Sequence, residues 1–158
     1  RHINASKDLS GQNLILFLGS TIGNFTRSGA EHFLMTLHSA MKPSDLLFTL
    51  FDLANKDYKT ILQGYDDPDG LGYDFYMNVL TRINRELGGE FDLSQFFYHG
   101  YIDPYERCVK HTLISRIDQT VAIKATGKSF QFKQCEPILV QESHKFSVKE
   151  IQDMAKKC

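Results

Sequence analysis

The chain has 158 residues and a mass of 18.1 kDa, the size of one ordinary domain or of parts of two. Its 18 basic and 19 acidic residues give a formal net charge of −1, so it lacks the broad positive surface that binds a nucleic-acid backbone or an anionic membrane. Hydrophobic residues make up 42% and charged residues 23%, with no apolar stretch long enough to span a membrane. This composition excludes a disordered protein and favours a globular one that binds neither nucleic acid nor membrane.

The three cysteines, Cys108, Cys135 and Cys158, are widely spaced and form no Cys-x-x-Cys pair. Scattered thiols in an odd number are typical of a reducing compartment and do not make a disulfide framework. Since no signal-peptide pattern opens the chain, we expect a cytoplasmic location. The six histidines show no pair at zinc-ligand spacing with a third partner nearby, so no metal site is expected.

The first third of the sequence has the pattern of a βαβ unit. Residues 13–18 and 46–51 are short continuous apolar runs, typical of strands buried on both faces. Between them, apolar residues at helical spacing predict a helix over 29–42, with a capping box of Ser28 and Glu31 at its start. A strand, a helix and a second strand in this order indicate an α/β sheet.

The middle of the chain is predicted to be helical. Residues 56–65 favour a short helix, and residues 66–70 form a turn cluster rich in Asp, Pro and Gly. An apolar stripe over 76–87 predicts a longer helix that ends at Gly88, and Asp92 can start one further helical turn.

From about residue 97 the pattern changes to short segments that tend to alternate between apolar and polar residues. Such segments, separated by turns, predict an antiparallel meander rather than further βαβ units. A second capping box, of Ser147 and Glu150, then predicts a last helix. The five predicted strands are 97–102, 108–117, 120–125, 129–133 and 137–142.

Polar residues stand at the ends of predicted strands and are candidates for ligand binding. Residues 19–24 follow the first strand, and Asn24 carries an amide donor and acceptor that could hold an amino and a carboxylate group; a glycine turn with an Asn cap explains them equally well. Gln141 and Ser143 share one face of the last strand by period two, where they either meet a polar ligand or lie at a solvated strand end. Tyr65 is either a loop phenol beside the α/β half or a core aromatic.

Three stretches of the sequence resemble one family closely. They are residues 16–25, residues 65–67 with 78–92, and residues 143–146. The pattern resembles the histidine-specific methyltransferase family, which depends on S-adenosyl-L-methionine (SAM) and includes the ergothioneine-pathway enzyme that trimethylates the α-amino group of histidine. The resemblance runs from about residue 12 to residue 150.

The resemblance implies an α/β fold with two regions. Residues 1–55 would be the C-terminal half of a Rossmann-like methyltransferase domain, and residues 56–158 an α+β substrate-binding region with an antiparallel sheet, truncated at its C-terminus. The cofactor would be SAM, with Gly19, Ser20 and Thr21 touching it, although the family's main SAM-binding motif lies upstream of this chain. Because the chain starts at Arg1 rather than Met, it is expected to be either processed or a fragment. Since the upstream motif is missing, the resemblance implies that this part alone is inactive.

The resemblance also assigns residues to a small amino-acid substrate. Asn24 would hold its α-amino and carboxylate groups, Tyr65 would contact the carboxylate, Phe75 would line the pocket, and Ser143 would hydrogen-bond the substrate side chain. No residue stands out as a dedicated catalytic base.

Two positions depart from the family pattern and bear on the substrate. Gln141 stands where the histidine enzymes have Glu, and it supplies no full negative charge for an imidazole. Lys110 stands where they have Met, and its cation either pairs with an acidic substrate group or points to solvent. The implied function is SAM-dependent N-methylation of the α-amino group of histidine or a related amino acid. The alternative is a non-catalytic amino-acid-binding or interaction module on the same fold, and the oligomeric state stays open.

Overall fold

The computed structural model describes residues 11–65 and 70–158, so the predicted turn at 66–70 lies outside the described residues except for Gly70. The chain forms two compact units: the described residues up to Ala54 with Lys145–Cys158, and Asn55–His144. The predicted domains, 1–55 and 56–158, differ from these units at the C-terminus, because the chain returns to the first unit after His144. The assignment of 1–55 and 56–158 as domains of the whole protein stays a prediction. In the described part of the chain, no helix has the length and apolar character that a membrane crossing requires.

The first unit contains the predicted βαβ arrangement, which is confirmed. Strands β1 (Leu14–Phe17) and β2 (Leu46–Thr49) pair in parallel, and helix α1 (Arg27–Ser39) connects them. The C-terminal helix, α4 (Val148–Lys157), packs against α1, and a single parallel bridge joins Leu53 to Phe146. The core of this unit consists of Ile22, Ala30, Leu34, Phe146 and Met154.

The prediction that both strands are buried on both faces is wrong for the described residues. Leu14 and Leu16 on β1, and Leu46 and Phe48 on β2, are more than half exposed. Burial alternates along each strand because one face points to the core formed with α1 and α4. None of the described residues covers the opposite face, which carries these four exposed side chains.

Local hydrogen bonds determine where the two helices of this unit begin. Helix α1 starts two residues before the predicted position, because the Thr26 side chain, not that of Ser28, accepts the N–H of Gly29 at 3.2 Å. It ends at Ser39 rather than residue 42, since the N–H of Lys42 instead donates to the Asp45 carboxylate at 2.8 Å. The capping box predicted at Ser147 is confirmed.

The second unit begins with the predicted helices. Helix α2 (Tyr58–Gln63) is capped by Asp57, and helix α3 (Leu71–Leu87) ends at Gly88, whose φ of +63° is the left-handed conformation that glycine adopts at low cost. The further turn predicted at Asp92 is present. The buried face of α3 packs into the core of this unit, formed by Tyr76, Met77, Leu80, Phe91, Phe96, Leu113 and Val121.

All five predicted strands of this unit are present, but they do not form one meander. They are β3 (Phe96–Asp103), β4 (Cys108–Ser115), β5 (Gln119–Ile123), β6 (Lys128–Phe132) and β7 (Pro137–His144). One antiparallel sheet has the order β3-β4-β7, and β5 and β6 pair separately as a hairpin. The chain rejoins β4 after the hairpin because Ser115 exchanges backbone hydrogen bonds with Cys135 and Glu136, which places β7 beside β4.

Candidate functional site

An aromatic-lined cavity lies in the second unit, beside the β3-β4-β7 sheet. Its volume is about 420 Å³. A second cavity of about 270 Å³ shares Tyr65 and Tyr98 with it and extends toward Gly100 and Val109. The first cavity is lined by Gly64, Tyr65, Leu71, Gly72, Phe75, Tyr76 and Tyr98.

Two predicted substrate residues, Tyr65 and Ser143, meet at this cavity. Tyr65 follows the C-terminus of α2, and Ser143 lies near the end of β7. Their hydroxyl oxygens are 2.7 Å apart, a hydrogen bond between residues 78 positions apart in the chain. The pair therefore presents two hydroxyl groups that both donate and accept hydrogen bonds.

The third predicted residue on this strand, Gln141, contacts Tyr76. The Tyr76 hydroxyl donates to Gln141 Oε1 at 3.3 Å. Burial, followed by the nearby Tyr98 and Tyr65, raises the pKa of Tyr76 to about 12, so its phenol stays protonated near neutral pH and keeps its role as a donor.

Gln141 and Ser143 share a face because they are two positions apart in β7, and a β-bulge before them decides which face this is. In the register with β4, His111 pairs with Gln141 and Val109 with Ser143, whereas Thr112 pairs with Leu139, which leaves Val140 as the extra residue. The prediction that Gln141 and Ser143 share a face is confirmed. Because the extra residue reverses the alternation of side chains along the strand, Gln141 and Ser143 lie on the same face as Ile138, which is the face toward α3.

Phe75 also lines the cavity, as the resemblance implies. Its side chain is 67% exposed, and its ring meets that of Tyr76 edge to face with centroids 5.2 Å apart. An exposed aromatic ring at the mouth of a cavity offers apolar area that a ligand can cover. The role of Phe75 in substrate binding stays a prediction.

Lys110 is not part of this group. Its neighbours in β4, Val109 and His111, pair with Ser143 and Gln141, so Lys110 points to the opposite face of the sheet. There its ammonium lies 2.9 Å from Asp103 and 3.1 Å from Glu106. The hydrogen bond to Asp103 is the main reason that the pKa of Lys110 is raised. The cation is therefore neutralised within the chain and does not point to solvent.

Cys108, Glu142 and His144 come together on the same side as Lys110. One potential ligand atom from each lies within 4.8 Å of the others. The spacing of the histidines in the sequence does not indicate this group, because its members come from β4 and β7, which are far apart in the chain. Lys110 Nζ is 3.8 Å from Glu142, and burial raises the pKa of the Cys108 thiol to about 11. A neutral thiol and a carboxylate beside an ammonium favour an ion-pair cluster over a divalent metal site.

The remaining predicted residues lie in the first unit, in the turn after β1. Gly19 and Ser20 have φ values of +74° and +53°, and the Thr21 hydroxyl donates to the carbonyl of Leu18 at 3.0 Å. The turn ends at Asn24, which is exposed. An exposed glycine turn at the carboxyl end of a parallel strand fits the close approach of a ligand such as SAM to the backbone.

Two residues at or next to the cavity were not predicted as site residues: Tyr98 lines it, and His111 stacks on Tyr76, which also lines it. Tyr98 on β3 and His111 on β4 are joined by a hydrogen bond of 2.7 Å between the hydroxyl and Nδ1. In the sequence, Tyr98 and His111 fit the alternating pattern of ordinary core residues in strands, so the sequence gives no sign of their contact. Only the pairing of β3 with β4 shows it. Tyr76 was predicted only as part of the apolar stripe of α3.

Comparison with known proteins gives the family. The sequence model of the SAM-dependent histidine-specific methyltransferases matches residues 1–158. This chain belongs to that family. It is 37% identical over 136 residues to the histidine N-alpha-methyltransferases of Mycolicibacterium smegmatis and Mycobacterium tuberculosis, which covers 86% of this chain. It is 32% identical over 144 residues to ergothioneine biosynthesis protein 1 of Schizosaccharomyces pombe, covering 90% of this chain and 18% of that protein.

The resemblance expected from the sequence is thus confirmed, and SAM is the cofactor of the family. The chain spans 42% of the length of the two mycobacterial relatives and contains no SAM-binding motif of its own. The mixed α/β structure with antiparallel sheets is consistent with a methyltransferase-like fold, while the Rossmann-like assignment of the first unit stays a prediction.

Proposed function

We propose that the whole protein is a SAM-dependent N-methyltransferase that acts on the α-amino group of histidine or a related amino acid. The observation that carries the proposal is the Tyr65–Ser143 hydrogen bond at an aromatic-lined cavity, because it unites two residues that the family resemblance assigns to the substrate. The family match over the whole chain supports the reaction type.

The second unit would bind the amino acid through hydroxyl and amide groups. Tyr65 would contact the carboxylate, Phe75 would cover the side chain, and Ser143 and Gln141 would hydrogen-bond its polar atoms. Gln141 carries no charge, so the site favours a neutral side chain, such as the neutral form of imidazole, over a cation. Lys110 is not among these contacts, because its ammonium already binds Asp103 and Glu106.

The turn after β1 would contact the cofactor and the reacting amine. Bound SAM supplies a methyl group that is already activated on a sulfonium, so the protein has to position the amine and exclude water. Gly19, Ser20 and Thr21 would lie against the cofactor. The amide oxygen of Asn24 would accept an N–H of the α-amine, which orients the lone pair once the ammonium has lost its proton.

The proposed setting is the cytoplasm, which stays a prediction. It rests on the three cysteines, all of which are free in this structure.

The test is a methylation assay on the whole protein. It would be incubated with SAM and the twenty common amino acids, and mass spectrometry would detect a product heavier by one methylene unit. We expect a product on histidine or a close relative. Asn24→Ala should lower kcat/KM by on the order of 100-fold, the cost of a misplaced reacting group. Asn78→Ala, at an exposed position on α3, is the matched control and should leave it unchanged.

Two results would contradict the proposal. If Asn24→Ala and Asn78→Ala methylate at the same rate, Asn24 does not hold the amine. If no amino acid is methylated and calorimetry detects no SAM binding, the protein is not a methyltransferase, and binding of an amino acid without turnover would establish the alternative binding module.

A further inference from the structure

His111 packs against the tyrosines that line the cavity. It is fully buried on β4, directly opposite Gly100 of β3. Its ring centroid is 4.4 Å from that of Tyr76, 5.1 Å from that of Tyr65 and 6.0 Å from that of Tyr98. One imidazole therefore contacts all three tyrosines that line the cavity.

The contact with Tyr98 is a hydrogen bond. The Tyr98 hydroxyl and His111 Nδ1 are 2.7 Å apart, and the tautomer of the imidazole sets which of the two donates. Burial, with the nearby Tyr65, raises the pKa of Tyr98, so the phenol keeps its proton near neutral pH.

Gly100 makes room for this bond. A Cβ atom at Gly100 would lie 2.5 Å from the Tyr98 hydroxyl oxygen, which is closer than real Cβ contacts come. The hydroxyl therefore occupies the space that any other residue at this position would fill. The Tyr98 hydroxyl can take this position only because residue 100 has no side chain.

The contact with Tyr76 is a stack. The rings of Tyr76 and His111 are inclined by 14°, and those of Tyr76 and Tyr98 by 4° with centroids 4.8 Å apart. Near-parallel rings at these distances attract each other and restrict rotation about the side-chain bonds. Tyr76 in turn donates its hydroxyl to Gln141. Through Tyr76, the orientation of the imidazole therefore affects Gln141, a residue of the proposed substrate site.

We propose that His111 is a positioning residue, which through its bond to Tyr98 and its stack with Tyr76 holds the cavity in the shape that binds the amino-acid side chain. The inference rests on the proposed function, since it concerns the same substrate cavity. His111 does not touch the reacting atoms in this role. Its removal should weaken binding of the amino acid and leave binding of SAM unchanged.

Three substitutions break the Tyr98–His111 bond from different sides. Tyr98→Phe removes the hydroxyl, His111→Phe removes the ring nitrogens but keeps a flat ring, and Gly100→Ala displaces the Tyr98 hydroxyl without altering either partner. In the whole protein, each should raise KM for the amino acid about tenfold, which corresponds to about 1.4 kcal/mol and lies within the cost of one lost buried hydrogen bond. KM for SAM should not change.

The double variant and a neighbouring histidine provide the controls. Because Tyr98→Phe and His111→Phe remove the same bond, together they should raise KM no more than either does alone. His99→Phe changes an exposed histidine on β3 and should leave both KM values unchanged.

The outcomes separate this inference from the proposed function. If the unaltered protein methylates an amino acid but the three variants only lose thermal stability and kcat at constant KM, the role of His111 is purely structural and the inference is wrong. If the unaltered protein methylates no amino acid, the proposed function fails and the inference fails with it.

Discussion

Asp52→Asn should lower the free energy of unfolding by about 3 kcal/mol. The Lys145 side chain is almost completely buried in the first unit, and its Nζ lies 2.8 Å from Asp52 Oδ2. Removal of one partner from a buried ion pair costs about 3–5 kcal/mol, because the other charge stays in a site where water cannot solvate it. We expect the lower end, since the Asp52 side chain is 26% exposed and some water can reach it.

The matched control is an exposed ion pair on α4. Lys149 Nζ lies 2.6 Å from Asp153 Oδ2, a shorter distance, but the two side chains are 85% and 44% exposed. Exposed pairs contribute about 0–1 kcal/mol, so Asp153→Asn should have little effect. Urea unfolding followed by circular dichroism compares the two variants directly.

Equal losses from the two variants, both below about 1 kcal/mol, would refute the argument, because burial of the Lys145 ammonium would then add nothing to the cost of losing its partner. A double variant tests the cause. If the unsolvated ammonium is what costs stability, adding Lys145→Met to Asp52→Asn should recover most of the loss, since no buried charge is left.

Three further predictions concern the second unit. A thiol reagent should modify the exposed Cys135 quickly but Cys108 only after unfolding, since Cys108 is buried and its pKa is raised to about 11; equal rates in peptide mass spectrometry would contradict this. The pKa of Asp103 is lowered mainly by the hydrogen bond from the Glu106 backbone N–H and then by Lys110. The stability that the carboxylate contributes is therefore present above about pH 4 and is lost as the pH falls through the lowered pKa. In urea titrations, Asp103→Asn should make the free energy of unfolding depend less steeply on pH in this range, and an unchanged pH dependence would argue against this role of Asp103. Leu80→Ala, in the core, should cost about 2–5 kcal/mol in the same assay, and a loss below about 1 kcal/mol would count against tight packing there.

Local signals in the sequence were enough to predict most helices and strands. The apolar stripe of α3 and its terminal Gly88 involve residues close in the chain, as does the capping box of α4. The start of α1 was misplaced because Thr26 and Ser28 are both good caps, and the choice between them depends on which hydroxyl meets the Gly29 N–H. The order of the strands could not be read locally, since β7 returns to β4 across an intervening hairpin.

The candidate site was only partly accessible to sequence reasoning. The resemblance supplied Tyr65 and Ser143, and the structure shows that they are hydrogen-bonded. It also suggested Lys110, which the strand register assigns to the other face of the sheet. His111 was not predicted, because its role depends on three rings that come from α3, β3 and the segment after α2, and no spacing in the sequence encodes such a meeting.

Tyr76 connects the stability of the second unit to the shape of its cavity. The face of α3 that carries it also carries Met77 and Leu80 into the core, while the Tyr76 hydroxyl reaches Gln141. A change at Tyr76 therefore disturbs core packing and the proposed substrate site together. Gln141 and Ser143 are only partly buried and lie beyond the bulge of β7, outside the core cluster. If the proposed site holds the amino acid, substrate preference should change most easily through these two positions, because substitutions there would alter hydrogen bonds to the ligand without creating a cavity in the core.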